Sequence, residues 1–224
     1  MAEQLSFDLP VRAALGREDF FVSPANAEAV AMIEGWADWP DCKLLLTGPA
    51  GAGKTHLAHV WAGLAEARIV AARDLARADV AALAEARLVI ENAQDVAGDA
   101  AAEAALFHLH NLMRAEARAL LMTARTPPHL WGLTLPDLAS RLQGTLHTAL
   151  GPPDDALLSA VLMKLFSDRQ LMPSPDTIPF LVRRMERSFG AAEGVVADLD
   201  ATALAERRPI TRGLAAHVLD KQGE

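Results

Sequence analysis

Eight consecutive residues, Gly48, Pro49, Ala50, Gly51, Ala52, Gly53, Lys54 and Thr55, meet the spacing G-x-x-x-x-G-K-[S/T] of a phosphate-cradling loop. Such a loop turns its backbone N–H groups inward. Together with the positive end of the helix that follows, they hold phosphate oxygens. Lys54 adds a point charge for the β- and γ-phosphates, and the Thr55 hydroxyl can ligate Mg²⁺. His56 directly follows the loop and is grouped with the residues around the nucleotide. His56 and His59 lie one helical turn apart but have no acidic third ligand nearby, which argues against a metal site of their own. His108 and His110 fall on opposite sides of a helix and argue against one equally.

Phosphoryl chemistry needs more than a cradle. It needs an acidic group for Mg²⁺ on a neighbouring strand and a polar group to align the attacking water. Leu88-Val89-Ile90 runs into Glu91 and Asn92, the form expected of an apolar strand ending in such a site. Glu91 is the Mg²⁺ candidate beside Thr55. Asn92 is a weaker acceptor than the carboxylate of an efficient ATPase, so hydrolysis by this chain alone is expected to be slow. Thr123 ends another apolar run, where its hydroxyl could face the γ-phosphate. Arg141 lies between the last two apolar runs, and a guanidinium offered to a neighbour's γ-phosphate accelerates transfer by roughly 10³ to 10⁵. Arg187, further on, could reach back over the nucleotide. On spacing alone Thr123, Arg141 and Arg187 read equally well as ordinary polar residues.

The elements that must position these residues are legible in the apolar pattern. Leu44-Leu45-Leu46, Ile69-Val70, Leu88-Val89-Ile90, Leu120-Leu121-Met122 and Leu146-His147-Thr148-Ala149 give five candidate strands. Most are apolar throughout rather than alternating, which suits strands buried on both faces of a parallel sheet. The segments between them are long enough for crossover helices. One runs from Ala97 through Leu106, Leu109 and Met113 at helical spacing. The fold class is therefore α/β, a doubly wound core with a five-stranded parallel sheet. Ser23-Pro24 is expected to cap and open a helix that ends near Pro40. After Gly151-Pro152-Pro153 strand signals stop. Asp154, Ser174-Pro175 and Thr211 each look able to start a helix, and a further one covers about 189 to 204. The expected division is an N-terminal peptide at 1–12, an α/β core at 13–151 and an all-helical lid at 152–224.

Composition narrows the function classes. Lys plus Arg number 21 against 29 Asp plus Glu, a net charge of −8. A free-standing DNA binder shows a basic face or stripe, so DNA is expected to be reached only indirectly. The one cysteine, Cys42, allows no intrachain disulfide and reads as a small apolar side chain at the start of a strand. No basic segment followed by an apolar run opens the chain, and no apolar stretch is long enough to span a bilayer. A cytoplasmic protein with no membrane partner is expected. The four tryptophans read as packing residues.

Taken in order, the loop at 48–55, Glu91-Asn92, Thr123, Arg141 and Arg187 resemble the motifs of an AAA+ ATPase. The chain is most similar to the Hda family, short homologues of the bacterial initiator DnaA. Arg17-Glu18-Asp19-Phe20-Phe21-Val22-Ser23-Pro24-Ala25-Asn26 is similar to the segment these proteins lay against the adenine, which adds Phe21 to the nucleotide residues. Leu135 to Leu142 is similar to their arginine-finger box. Gln4, Leu5, Phe7 and Leu9 are similar to a sliding-clamp-binding peptide, and a glutamine with apolar anchors in an extended segment can fill a preformed groove.

The resemblance implies an AAA+ regulator that binds ADP or ATP with Mg²⁺. Docked on the DNA-loaded sliding clamp, it would stimulate hydrolysis of DnaA-bound ATP and so repress replication initiation. Arg141 would be the arginine finger acting in trans, Thr123 the first sensor and Arg187 the lid sensor. AAA+ nucleotide sites lie at subunit interfaces, so a homodimer or larger self-association is expected. Two departures stand out: Glu91 replaces the usual aspartate at the Mg²⁺ position, and Gly190 and Gly194 follow Arg187 in the lid. With 224 residues, the resemblance is expected to stop short of the initiator's helix-turn-helix DNA-binding domain. The readings that compete are a self-contained AAA+ ATPase, a small-molecule kinase, and an adaptor that loads a helicase or another partner.

Overall fold

The structure is a computed structural model and describes residues 21–222. The five apolar runs form β1 (Lys43–Thr47), β2 (Arg68–Ala71), β3 (Leu88–Glu91), β4 (Leu120–Ala124) and β5 (His147–Ala149). They pair in parallel in the order β2-β3-β4-β1-β5. The sequence is apolar in unbroken runs because helices cover both faces. Leu44 and Leu46 point into one core with Val89 and Leu121, whereas Leu45 points into the other with Leu88, Ile90, Leu120 and Met122.

The first of these cores is closed by α1 (Ala27–Glu34) and α2 (Lys54–Ala65). Trp39 stacks on Trp61 with ring centroids 5.2 Å apart, and Trp36 meets Trp61 edge-on at 6.3 Å. These three tryptophans are thus one packing unit. The opposite core is closed by α3 (Val80–Ala84), α4 (Ala100–Ala115) and α5 (Pro136–Gln143). Asp99 starts α4 by accepting from the N–H groups of Ala101 and Ala102, two donors that the first helical turn cannot satisfy.

Four helices follow the sheet: α6 (Asp155–Asp168), α7 (Thr177–Arg184), α8 (Phe189–Glu206) and α9 (Arg212–Gln222). They bury their own cluster, built on Leu158, Leu162, Phe166, Leu181, Val196, Leu199 and Leu214. Asp154 caps α6 through Leu157 N–H at 2.8 Å, and Thr211 accepts from Leu214 N–H at the start of α9, as the sequence leads one to expect.

Two helix starts differ from expectation. Ser23 does not cap α1; Asn26 occupies that position, and its Oδ1 accepts from Ser23 N–H at 2.8 Å. The Ser-Pro pair makes a turn ahead of the helix rather than its first turn. Likewise α7 begins at Thr177 with Asp176 before it, because the Ser174 hydroxyl is taken up by Asp176 and Thr177. α1 also stops at Glu34, and two short 3₁₀ turns at Trp36–Asp38 and Pro40–Cys42 carry the chain to β1. Cys42 sits half-buried just before that strand, at a positive φ of 59°.

Candidate functional site

β1 delivers the glycine-rich loop and α2 receives it, so residues 48–55 sit at the C-terminal end of the sheet. This is where a doubly wound fold places its ligand crevice. Gly48 N–H donates to Ala124 O at 3.2 Å, which pins the loop to the end of β4. A Cβ at Gly48 would lie 2.4 Å from Leu150 O, so the backbones of the loop and the segment after β5 can approach only at a glycine. Gly53 precedes α2 with φ +90°, a left-handed conformation, and a Cβ there would meet Phe189 Cε2 at 2.7 Å.

Lys54 is buried as the first residue of α2. Its Nζ donates to Gly48 O and Pro49 O, both at 2.7 Å. Burial holds the ammonium below the usual lysine pKa, and the nearby positive charge of Arg125 adds to that effect. A phosphate at this place would relieve both influences.

The loop forms one wall of a cavity of about 500 Å³. Ala50, Gly51, Gly53, Lys54, Thr55, His56 and Asn92 contribute from the core, and Phe21, 39% exposed, contributes from the segment before α1. The opposite wall is helical: Leu157, Val161 and Leu165 of α6, with Phe189 and Gly190 of α8. An apolar wall facing a polar loop suits a ligand with a flat ring at one end and phosphates at the other. The two walls touch directly, since Phe189 N–H donates to Gly51 O at 2.8 Å.

Glu91 and Asn92 end β3, next to β4 in the sheet. Asn92 adopts φ 54°, and its N–H donates to the Thr123 hydroxyl at 3.1 Å. The buried Thr123 therefore ties the ends of β3 and β4 together, and it does so as a hydrogen-bond acceptor. Glu91 Oε1 is buried and has no hydrogen-bond partner among the described residues. An orphaned carboxylate oxygen fits a cation, but Glu91 does not line the cavity as Thr55 and Asn92 do, so Thr55 is the side chain there that would hold a nucleotide-bound Mg²⁺.

The other sequence candidates lie apart from this cavity. Arg187 precedes α8, whose N-cap is Ser188, and is exposed. Its Nε donates to Pro153 O at 3.2 Å and its guanidinium pairs with Asp155, so it staples the start of α6 rather than lining the cavity. Gly190, three residues on, lines the wall instead. Arg141 is exposed on α5 and lines a separate cavity with Lys43. Lys43 begins β1 while the glycine-rich loop follows its end, so Arg141 belongs to the opposite end of the strands. Gln4, Leu5, Phe7 and Leu9 lie outside the described residues.

Sequence reasoning missed three residues. Arg125 follows β4 and brings a cation into the nucleotide cavity; its position two residues after Thr123 could have flagged it. Phe189 is the lid's seat on the loop, and nothing in its surroundings marks it. Glu103, 1% exposed on α4, accepts hydrogen bonds from Gly98 N–H, Thr134 N–H and hydroxyl, and Leu135 N–H. Burial pushes its pKa up, but these donors outweigh it and hold the carboxyl below its ordinary value. Glu103 thereby fixes the segment that opens α5 and carries Arg141.

No protein-family model matches the chain. It is similar to the chromosomal replication initiator protein DnaA of Thermomicrobium roseum, 28% identical over 229 residues that cover 90% of this chain and 48% of that protein. It spans about half the length of the curated relatives it matches. Among solved structures, domain III of the replication initiation protein DnaA from Thermotoga maritima superposes with a TM-score of 0.81 at 18% identity, covering 95% of this chain and 98% of that one. AMPPCP-bound DnaA from Aquifex aeolicus superposes with a TM-score of 0.68 at 18% identity, covering 82% of this chain and 64% of that one. The fold is that of domain III of DnaA, and the sequence similarity runs to chromosomal replication initiator proteins.

Proposed function

We propose that this chain is an adenine-nucleotide-binding regulator of replication initiation that acts on a second AAA+ subunit rather than on its own nucleotide. It holds ADP or ATP with Mg²⁺ between the loop at 48–55 and the helical wall. Its N-terminal peptide, with Gln4, Leu5, Phe7 and Leu9, docks on the DNA-loaded sliding clamp. Arg141 is then offered to ATP held by DnaA, which stimulates hydrolysis there and lowers the level of the active initiator. DNA is reached through the clamp, and copies of the chain associate through the same end of the sheet.

The observation that carries this reading is the place of Arg141. It is exposed at the start of β1 while the chain's own phosphate loop lies at the strand's other end, about 15 Å away for five residues of strand. A guanidinium there has no route to its own γ-phosphate and is free to meet another subunit's. A nucleotide analogue bound to a DnaA of the same fold supports the ligand class.

A second reading has one observation in its favour. Arg125 stands in the chain's own nucleotide cavity, where it could serve hydrolysis in cis and make the chain a self-contained ATPase. The two readings separate in one assay: phosphate release from ATP-loaded DnaA, with DNA-loaded clamp, with and without this protein. Acceleration that Arg141→Ala removes supports the regulator. Rapid turnover by this protein alone, lost in Arg125→Ala and indifferent to Arg141→Ala, replaces it with the ATPase.

A further inference from the structure

The end of the sheet that carries Arg141 holds a second, buried cation with no hydrogen-bonded anion among the described residues. Lys43, the first residue of β1, is 1% exposed, and its Nζ makes no hydrogen bond to any described residue. It lines a cavity of about 240 Å³ with Arg141, His110, Thr145, Ser140 and Asp41. Asp41 favours the Lys43 charge but makes no hydrogen bond to it, and its Oδ1 lies 3.3 Å from Arg114 Nε. His110 contributes no charge: its Nε2 lies 3.4 Å from the Thr145 hydroxyl, its buried Nδ1 meets no described residue, and burial, with Lys43 next in effect, keeps the ring neutral.

A buried ammonium without a partner is costly, and a second positive charge beside it adds to the cost. The chain is acidic overall at −8, so this is no overflow of a basic surface. An oxyanion in the cavity would offset both charges and give Lys43 the acceptor it lacks. A carboxylate brings one charge and two oxygens. A terminal phosphate brings more of both and matches two cations with the hydroxyl of Ser140, the Thr145 hydroxyl being given to Arg141 O.

We propose that Lys43 and Arg141 together form a phosphate-receiving site, and that the phosphate is the terminal one of a nucleotide seated in the loop of a second AAA+ subunit. Resting on the regulator reading above, the inference adds a fixed charge behind the mobile guanidinium. Arg141, exposed at the mouth, makes the outer contact. Lys43, inside, draws the phosphate to one depth and orientation. The arrangement favours a nucleotide with its γ-phosphate still attached, because only that phosphate projects far enough to enter.

Calorimetry tests the site directly, with inorganic pyrophosphate as probe and ADP in saturating excess so that the protein's own loop is filled. Lys43→Met and Arg141→Ala are each expected to weaken uptake by about tenfold or more, while Arg118→Ala, in a separate cavity lined with Arg87 and Cys42, leaves it unchanged. Lys43→Met replaces a buried charge by an apolar chain of similar length, and a melting midpoint at or above wild type shows it folded. The same proteins are then assayed for phosphate release from ATP-loaded DnaA. Loss of stimulation in Lys43→Met with its own ADP binding intact is the expected result. Full stimulation by Lys43→Met, with Arg141→Ala inactive, overturns the role of Lys43 and leaves the regulator standing. If neither substitution matters to stimulation, the regulator reading fails too. Pyrophosphate uptake that needs Lys43 while stimulation does not would mean a free oxyanion, and would overturn the partner nucleotide.

Discussion

Lys54 and His110 are both buried bases, and the chemistry around each sets a different expectation. Lys54 already donates to two loop carbonyls, Gly48 O and Pro49 O, so its charge is held in place before any phosphate arrives. Lys54→Ala is expected to weaken ADP binding by about one to two orders of magnitude, the worth of a charge-assisted contact. Unchanged affinity by calorimetry would remove the phosphate cradle from the account. His110, 4% exposed, has its pKa lowered from 6.5 to about 4, by burial first and by Lys43 second. A base depressed on folding gives stability that is fully present above its unfolded pKa and drains away as pH falls through the window 6.5 to 4. Chemical denaturation should show wild type losing about 2 kcal/mol more than His110→Leu between pH 7 and pH 5. Equal slopes would mean that the imidazole is charged in the folded protein.

These residues were unequally legible. The loop at 48–55 could be read outright, because its chemistry is fixed by local spacing. The setting of His110 could not, because its neutrality comes first from burial and then from Lys43 and Arg141, all of which the fold alone supplies. Arg187 is read from sequence as available to the nucleotide; in the fold a capping serine one residue later leaves it outside α8 and beside Asp155.

Between elements, the connection that matters most is Glu103 of α4 to residues 134 and 135. It is a carboxylate buried in the core that satisfies three backbone N–H groups and a hydroxyl at the entry to α5. Glu103→Ala leaves those donors buried and unpaired, at a cost of about 3 kcal/mol or more. That corresponds to a fall in melting temperature of roughly 6 to 12 °C for a chain of this size. Glu103→Gln keeps the shape and one acceptor oxygen and should lose less. Because the staple also sets where Arg141 stands, Glu103→Gln is expected to lower stimulation of the partner while leaving ADP binding intact. A variant that loses ADP binding in the same proportion would show that Glu103 acts through global stability alone. Strands and most helices could be read from apolar period, since burial on two faces leaves an unbroken run. The staple could not, because a glutamate on an alanine-rich helix looks like a solvated one until the loop at 134 folds over it.

At the scale of the molecule, two separately packed bodies meet along a narrow seam. The sheet buries two cores and the last four helices bury a third. Between them the direct bonds include Phe189 N–H to Gly51 O. The nucleotide cavity of about 500 Å³ lies in this seam, so a ligand that fills it touches both bodies. Its binding free energy then adds to the contact between them. At about one hundred times its dissociation constant, ADP contributes about 2.7 kcal/mol, which should raise the melting midpoint by roughly 5 to 11 °C. Hydrogen exchange should slow in α6 and α8 as well as in the loop at 48–55, because those helices line the cavity and cannot part from the loop without breaking ligand contacts. Phe189→Ala removes the ring that sits over Gly53 but leaves the cradle whole. This variant should still bind ADP, with a smaller rise in midpoint and little new protection in α8. Were wild type to gain protection in the loop alone, the helical wall would be a bystander, and ligand binding would not couple the two bodies.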